Sequence, residues 1–361
     1  MIFKRTLDGQ PMKPHGLKII KEDTANILAC DLPWDQFDGT RVVVTGASGF
    51  LGGALLRALV ALHPAGLVRR PLRIVALVRQ LERSRQRMAD VADDAQIEWL
   101  TWDLSQFAIP QLGAPDFVIH AASQASPKFF SRDPVGTLLP NTVGTAALLQ
   151  ACSPTCRFLF ISSSEVYGSV SSASALDEHD FGSVDPTDPR SCYAESKRLG
   201  EALCVAWHAQ HGLQTLVVRP FHTYGPGLTA DDGRVFSDFA HAIARGEPMV
   251  MTSDGSARRA FCYSSDAITG IATVLLKGEP PNAYNLANPM AEVSILELAT
   301  ILVTHFSSRG ARLERRSPPN GYPPSPFNRM VPDIQRLQSL GWMPKTSITE
   351  GFERFIETIS Q

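Results

Sequence analysis

The stretch RVVVTGASGFLGGALLRALVAL, residues 41–62, decides the fold. It begins with a short β-branched run, turns through glycines, and continues with apolar residues at helical spacing. Gly46, Gly49 and Gly52 stand three residues apart, which lets the backbone turn tightly at the junction of strand and helix. Because the free N–H groups of a helix N-terminus attract anions, the pattern predicts a pyrophosphate site for a dinucleotide. A turn with a purely structural role is the alternative.

The rest of the first 220 residues repeats the alternation of strand and helix. Helices are predicted at about 137–152 and 191–211, and uniformly apolar strands at 71–79, 97–103, 116–122, 157–164 and 215–221. Such strands are typical of a parallel sheet with helices on both faces. After residue 222 the pattern loosens, which indicates a smaller second lobe that contains a proline-rich connection at 317–326.

We therefore expect an α/β chain with three parts. Residues 1–40 are interpreted as an N-terminal extension that packs on the main domain or on a partner. Residues 41–221 are expected to form the dinucleotide-binding domain, completed by a segment near 262–288, and residues 222–361 the smaller second lobe. The 361 residues are enough to bury a large core.

Composition excludes several classes of function. A net charge of −2 gives no general attraction to nucleic acid or to an anionic membrane. The most apolar long stretch, residues 50–68, is interrupted by Arg57 and His63 and is not a membrane span. The N-terminus lacks the apolar core of a signal peptide, so we expect a soluble cytoplasmic protein. No zinc site or disulfide framework is expected from six scattered cysteines, Cys30, Cys152, Cys156, Cys192, Cys204 and Cys262.

The second predicted strand ends in ALVRQ (76–80), without the acidic residue that often binds the adenosine ribose of NAD. Arg79 stands there instead. An arginine at this position can favour a 2′-phosphate, so NADP stays possible beside NAD; a solvent-facing arginine is an equal alternative. Asp103, in TWDL (101–104), is a candidate neighbour of the adenine or a simple turn residue.

SCYAESKRLGE (191–201) places Tyr193 and Lys197 four residues apart on one face of a helix. An ammonium close to a phenol favours the phenolate, so Lys197 is expected to lower the pKa of Tyr193 toward neutrality. Such a phenolate removes a hydroxyl proton while hydride leaves the same carbon for a nicotinamide. Alone, the pair is more often an ordinary helix surface; the glycine turn and a strand that ends in serines give it weight.

The sequence resembles the extended short-chain dehydrogenases/reductases that act on nucleotide sugars, and among them the UDP-glucuronate decarboxylases. The resemblance covers about residues 40–355 and rests on TGASGFLG, HAASQASP, NTVGTAALL, SSSEVYG, DPRSCYAESKR, YGPG, DDGRV, RRAFCYSSD and YNLANP, in this order. It implies a Rossmann-type doubly wound parallel sheet, a smaller C-terminal α/β substrate domain, and NAD that is reduced and reoxidised within one turnover. It also implies a homodimer formed through the two helices predicted above, where Leu148, Leu149 and Leu199 are apolar.

The resemblance assigns roles to the segment ISSSEVYG (161–168). Ser163 would hydrogen-bond the reacting C4 hydroxyl beside Tyr193. Related 4,6-dehydratases carry an Asp-Glu pair where this chain has Ser164 and Glu165, and a serine is too weak an acid to replace that aspartic acid. Ser164 and Arg259 are expected to orient a glucuronate carboxylate, and Glu165 is expected to have a raised pKa or to repel that carboxylate as carbon dioxide forms.

The remaining expected contacts follow the same resemblance. Arg258 could replace Arg259, and His222 stands where the family usually has asparagine, which leaves the sugar and the nucleotide carrier open. Substrate contacts are expected from His222, Arg234 and Arg259. Coenzyme contacts are expected from Gly46, Gly49, Phe50, Leu51, Gly52, Arg79, Asp103, Leu104, Ala121, Ala122, Tyr193 and Lys197.

Three functions are thus open. The first is an NAD-dependent nucleotide-sugar decarboxylase of the UDP-glucuronate to UDP-xylose type. The second is a 4-epimerase or 4,6-dehydratase of the same family. The third is a catalytically silent dinucleotide-binding protein that senses redox state or scaffolds a complex, and the intact set of Ser163, Tyr193 and Lys197 disfavours it.

Overall fold

The computed structural model describes residues 14–170, 175–317 and 328–360. Its helices are α1 (Pro14–Leu28), α2 (Phe50–Ala61), α3 (Leu81–Arg87), α4 (Pro127–Arg132), α5 (Pro134–Gln150), α6 (Cys192–His211), α7 (Val235–Arg245), α8 (Ser264–Lys277), α9 (Ile295–His305), α10 (Gln335–Gln338) and α11 (Ile348–Ile359). Its strands are β1 (Arg41–Thr45), β2 (Arg73–Val78), β3 (Ile97–Thr101), β4 (Phe117–His120), β5 (Arg157–Ile161), β6 (Gln214–Pro220), β7 (His222–Tyr224), β8 (Met249–Met251), β9 (Arg258–Tyr263), β10 (Ala283–Leu286), β11 (Glu292–Ser294), β12 (Leu313–Arg315) and β13 (Arg329–Met330).

Seven of the strands in these ranges form one parallel sheet in the order β10-β6-β5-β4-β1-β2-β3. The register is set at the centre, where Val43 lies opposite Val75 on one side and opposite Val118 on the other. The doubly wound parallel sheet expected from the apolar runs is therefore confirmed.

Both faces of the central strands of this sheet are buried, which is why these strands are largely apolar, whereas the edge strand β3 is partly exposed. Successive residues of β1 point to opposite faces. Val42 and Val44 pack with α2 and α8, whereas Val43 packs with α5 and α6. Leu148 and Leu149 of α5 belong to this second core, the use within the chain's own interior that the sequence had also left open, while Leu199 of α6 is half exposed.

The order of the strands reverses between β1 and β4, and the glycine turn lies at the carboxyl end of β1. From β1 the chain crosses to β2 on one side, and β4 begins the half that grows on the other side. In doubly wound sheets this switch point opens a crevice for ligands. The fold therefore places a binding site directly above Gly46.

A smaller lobe packs beside the carboxyl ends of the strands. At its centre β9 pairs with β7 and β13 in parallel and with β11 antiparallel. Helices α7, α9 and α11 cover it with an aromatic core that includes Phe236, Phe239, Phe352 and Phe355. Between β9 and β11 the chain returns to the large sheet, where β10 pairs with β6.

Helix α1 lies in the N-terminal extension and packs against α2, α8 and α11. Its Asp23 is buried and accepts a hydrogen bond from the hydroxyl of Tyr263, at the end of β9 (2.7 Å). Arg354 of α11 donates through Nε to the other oxygen of Asp23 (2.9 Å). Residues 1–13 of the extension and most of the proline-rich connection predicted at 317–326 lie outside the described residues.

We predict that Asp23→Ala destabilises the protein by about 3 kcal/mol, because it leaves a half-buried guanidinium and a buried phenol without their shared acceptor. Thermal unfolding measures the change. Lys18→Ala, which removes an exposed i,i+4 ion pair with Glu22 on the same helix, is the control and should be nearly neutral. Equal melting temperatures for the two variants would contradict the prediction.

Candidate active site

The glycine turn is held by contacts that leave no room for side chains. Gly46 has a φ of +62°, in the left-handed region. A Cβ on Gly46 would lie 2.8 Å from the Cα of Ala122, and one on Gly52 would lie 2.2 Å from the carbonyl oxygen of Gly46. Larger residues would therefore separate β1, β4 and α2 at the point where these elements meet.

Helix α2 begins at Phe50, directly after this turn, and its first turn holds no acidic residue. The first N–H groups of a helix have no acceptor within the helix, so those of Phe50, Leu51 and Gly52 are open to an anion. The turn thus offers both a close backbone approach and a positive helix end. This fits the pyrophosphate of a dinucleotide.

One cleft runs from the glycine turn across the carboxyl ends of the strands to the smaller lobe. Every site residue expected from the sequence lines it. These are Gly46, Gly49, Phe50, Leu51, Gly52, Arg79, Asp103, Leu104, Ala121, Ala122, Ser163, Ser164, Glu165, Tyr193, Lys197, His222, Arg234 and Arg259.

Tyr193 stands in the first turn of α6, at the middle of the cleft, and is 6% exposed. The side chains of Ser163 and Ser123 lie near its hydroxyl and act to lower its pKa; among the residues described, Oγ of Ser123 has no hydrogen-bond partner. Its ring stacks on Phe130 of α4, with centroids 4.8 Å apart and planes at 12°. The ring of Tyr193 is therefore fixed by stacking, and its hydroxyl lies near Ser163, the serine expected to bind the same sugar hydroxyl.

The pKa of Tyr193 is raised to about 12. The prediction that Lys197 lowers this pKa toward neutrality was therefore wrong. Burial is the first cause, the negative charge of Glu165 adds to it, and the bond to Ser163 opposes it. Lys197 itself has a pKa lowered to about 7 by burial. Its Nζ donates to the carbonyl of Ile161 (2.7 Å) and lies 5.7 Å from the centre of the Tyr193 ring.

A polar chain that the sequence analysis did not identify supports the floor of the cleft. The amide of Ala122 donates to Oγ1 of Thr45 (3.1 Å), and this hydroxyl lies 2.7 Å from Nδ1 of His120. The other ring nitrogen lies 3.1 Å from the carbonyl of Pro140. Burial and the charge of Lys197 lower the pKa of His120 to about 3, so the imidazole is neutral and Nε2 carries its proton.

The serine–glutamate segment follows β5 as a 3₁₀ turn over Ser164–Tyr167. Oγ of Ser163 accepts from the amide of Glu165 (3.2 Å) and so starts this turn. The pKa of Glu165 is raised, in the expected direction, but burial is the first cause and not a second negative charge. Arg190 and Arg259 act in the opposite direction.

Arg259 and His222 come from paired strands of the smaller lobe, β9 and β7. Arg259 is 6% exposed and donates through Nη1 to the carbonyl of Arg258 (2.7 Å). The pKa of His222 lies well below its usual value because of burial and the charges of Arg259 and Arg234. Among the residues described, Nδ1 of His222 has no hydrogen-bond partner.

Arg234 is bound to its own lobe by Nε and Nη2, which donate to the two oxygens of Asp232 (2.5 and 2.8 Å). Its charge still lowers the pKa of both Tyr193 and His222. The arginine expected to contact substrate is thus oriented by an ion pair and faces the centre of the cleft.

Two cleft residues were missed from the sequence although motifs contained them. Ser123 follows β4 in HAASQASP, and polar residues after a parallel strand belong to the ligand edge of a sheet. Arg190, three residues before Tyr193, acts on Glu165. Across the part of the chain that the structure describes, no acid, cysteine or histidine cluster could hold a metal, and no helix is long and apolar enough to cross a membrane.

The NAD dependent epimerase/dehydratase family model matches residues 42–287. UDP-glucuronic acid decarboxylase 2 of Arabidopsis thaliana is 32% identical over 325 residues, which cover 90% of this chain and 69% of the relative. UDP-glucuronic acid decarboxylase 3 of the same plant is 32% identical over 86% of each chain.

Solved structures share the fold. UDP-glucose 4-epimerase from Thermotoga maritima aligns with a TM-score of 0.73 and 21% identity, over 88% of this chain and 98% of its own. A dTDP-glucose 4,6-dehydratase from Streptomyces venezuelae, solved with NAD, aligns with a TM-score of 0.73 and 24% identity, over 88% of this chain and 96% of its own. The expected coenzyme, NAD, is the one in the family's name. This chain belongs to the NAD dependent epimerase/dehydratase family of nucleotide-sugar enzymes.

Proposed function

We propose that this protein is a nucleotide-sugar decarboxylase that converts UDP-glucuronate to UDP-xylose. The observation that carries the proposal is the pair of Glu165 and Arg259, both largely buried and electrostatically coupled, on the sugar side of Tyr193. A buried guanidinium in a sugar cleft suits a substrate that carries a carboxylate. The relatives named UDP-glucuronic acid decarboxylase support the same substrate.

The coenzyme would be held by the glycine turn and by the N-terminus of α2, with its ribose and adenine toward β2 and β3. When bound, NAD supplies the acceptor for the hydride of the sugar and returns it at the end of the turnover. Residues of the chain fix its phosphates and exclude water around the reacting carbon. Ala121 and Ala122 keep the path between Gly46 and Tyr193 open because their side chains are small.

Tyr193 takes the proton of the C4 hydroxyl and later returns it. Ser163 would hold that hydroxyl, a role that its position near the phenol supports. The raised pKa of Tyr193 means that the phenolate needs nearby positive charge, which Lys197 and Arg234 offer. With a pKa near 7, Lys197 is protonated in a large share of molecules at neutral pH.

A ketone at C4 makes the glucuronate a β-keto acid. The electrons of the bond between C5 and the carboxylate then move toward the C4 oxygen, and carbon dioxide leaves. Arg259 and Ser164 would hold the carboxylate in line with this path. Glu165 is poorly solvated and stands near that departing charge, so in its ionised form it disfavours the bound carboxylate relative to neutral carbon dioxide. A proton from solvent then adds to C5, and return of the hydride to C4 completes the pentose.

Two features disfavour the alternatives within the family. Ser164 cannot supply the proton that a dehydratase gives to a leaving C6 hydroxyl. A 4-epimerase needs no buried acid such as Glu165 beside the sugar; Arg259 does not separate the two reactions, because a Bacillus cereus 4-epimerase of the same fold also binds UDP-glucuronic acid. The cytoplasmic location and the homodimer expected from the sequence stay predictions.

We predict that purified protein incubated with UDP-glucuronate and NAD yields a product lighter by one carbon dioxide, as measured by mass spectrometry. Tyr193→Phe should reduce turnover by a factor of about 10²–10⁴ because it removes the proton-transfer group. A product of unchanged mass would indicate epimerisation, and one lighter by water would indicate dehydration. Either result, or no reaction, contradicts the proposal.

We predict that Arg259→Gln weakens the binding of UDP-glucuronate by about 10- to 100-fold, the usual effect of losing a charge-assisted hydrogen bond. Binding of UDP-xylose, which has no carboxylate, should change little. Arg258→Gln is the matched control, since Arg258 is paired with Glu292 and Glu297 outside the carboxylate site. Titration calorimetry of both ligands separates the cases, and equal losses for both ligands would exclude a carboxylate-binding role.

We predict that Lys197→Met abolishes turnover yet leaves stability at pH 7 unchanged or raised by about 1 kcal/mol, because it removes a buried ammonium. The unfolded lysine keeps its proton up to about pH 10.5, whereas the folded one releases it near 7. Raising the pH between these values therefore stabilises the wild-type protein, and this slope should shrink in the variant. Lys277→Met, at an exposed lysine, should leave the slope as it is. Thermal unfolding from pH 7 to 10 measures both.

A further inference from the structure

The end of β2 lacks the group that usually selects NAD. In dinucleotide-binding sheets an acidic residue at this place accepts hydrogen bonds from the 2′-hydroxyl of the adenosine ribose. Here β2 ends at Val78, and Arg79 and Gln80 follow. A carboxylate at that position would repel a phosphate, whereas a guanidinium attracts one.

A second arginine faces the same part of the cleft. Arg79 and Arg83 are both exposed and both line the cleft beside the glycine turn. Helix α3, which carries Arg83, is held there by a hydrogen bond from Oγ of Ser48, within the turn, to Oγ of Ser84 (2.8 Å). The two arginines thus come from separate elements, Arg79 from the loop after β2 and Arg83 from α3, and both lie at the adenosine end of the cleft.

Neighbouring arginines are paired with acids, but these two are not. Arg57 forms a two-point ion pair with Asp90, and Arg85 lies 2.5 Å from Asp93. For Arg79 and Arg83, no hydrogen bond and no acid within 4.0 Å occurs among residues 14–170, 175–317 and 328–360. Their charges are therefore available to a ligand.

The acids that face Arg79 are occupied elsewhere. Asp103 accepts from the amide of Ser105 (3.0 Å), and this turn is the first cause of its lowered pKa. Asp133 accepts from the side chain of Gln124 (2.9 Å) and from the amide at the start of α5. In both cases Arg79 is the last of the causes that lower the pKa, so its charge is only weakly compensated.

We propose that Arg79 and Arg83 form a subsite for the 2′-phosphate of the coenzyme, so that this protein accepts NADP as well as NAD and binds NADP more tightly. A phosphate dianion between two guanidinium groups is a strong, geometrically specific contact. The proposal rests on the coenzyme site of the proposed function but not on the identity of the sugar.

The test is a titration of coenzyme-free protein with NAD⁺ and with NADP⁺ by calorimetry, in the absence of sugar nucleotide. We expect wild-type protein to bind NADP⁺ at least about tenfold more tightly, as one or two charge-assisted bonds would give. The double variant Arg79→Ala, Arg83→Ala should lose about 10- to 100-fold in NADP⁺ affinity and stay within about threefold for NAD⁺.

Arg85→Ala is the matched control, because Arg85 is on the same helix but paired with Asp93. It should change neither affinity. Competition should show the same preference, with 2′,5′-ADP displacing coenzyme better than 5′-AMP.

The outcomes separate this proposal from the proposed function. If wild-type protein prefers NAD⁺, or if the double variant weakens both coenzymes equally, the subsite is refuted while decarboxylation can still be observed. If neither dinucleotide binds, both the coenzyme site and the 2′-phosphate subsite are refuted. If NADP⁺ preference holds but UDP-glucuronate is not converted, the subsite stands and only the reaction must be revised.

Discussion

The close contact of backbone with backbone at the glycine turn is the constraint on which the rest of the structure depends. Without side chains on Gly46 and Gly52, the carbonyl of Gly46 and the backbone of Ala122 approach to within van der Waals distance of neighbouring elements. This contact brings helix α2 over the switch point of the sheet. The N-terminus of α2, the small residues Ala121 and Ala122, and helix α6, which carries Tyr193, then line one cleft. This shared contact alone aligns them.

Burial determines the electrostatics of this cleft more than pairing does. It raises the pKa of Tyr193 and Glu165, and it lowers that of Lys197 and His120. Each of these groups is thereby moved toward its neutral form. A charge that a ligand brings in, or that forms during reaction, is then poorly screened by the surroundings and acts strongly on its neighbours. The charges in this cleft are therefore supplied largely by bound ligands.

Much of this could be predicted from the sequence because the evidence is local. Apolar runs and glycine spacing predict the sheet and the turn, and the four-residue spacing of Tyr193 and Lys197 predicts a shared helix face. The pKa of Tyr193 could not be predicted, since it depends on packing against Phe130 from another helix. The smaller lobe also escaped a detailed prediction because β9 pairs with strands distant in the chain, from His222 to Met330. Short strands of three or two residues carry little periodicity.

The bond between α1 and α11 has a consequence for biosynthesis. Arg354 follows its partner Asp23 by 331 residues, so this contact cannot form until residue 354 has left the ribosome. At ordinary rates of translation the interval is roughly 15–70 s. During that time the carboxylate of Asp23 lacks its partner Arg354, and helix α1 is accessible to chaperones. The smaller lobe therefore acquires this ion pair only after Arg354 has been synthesised.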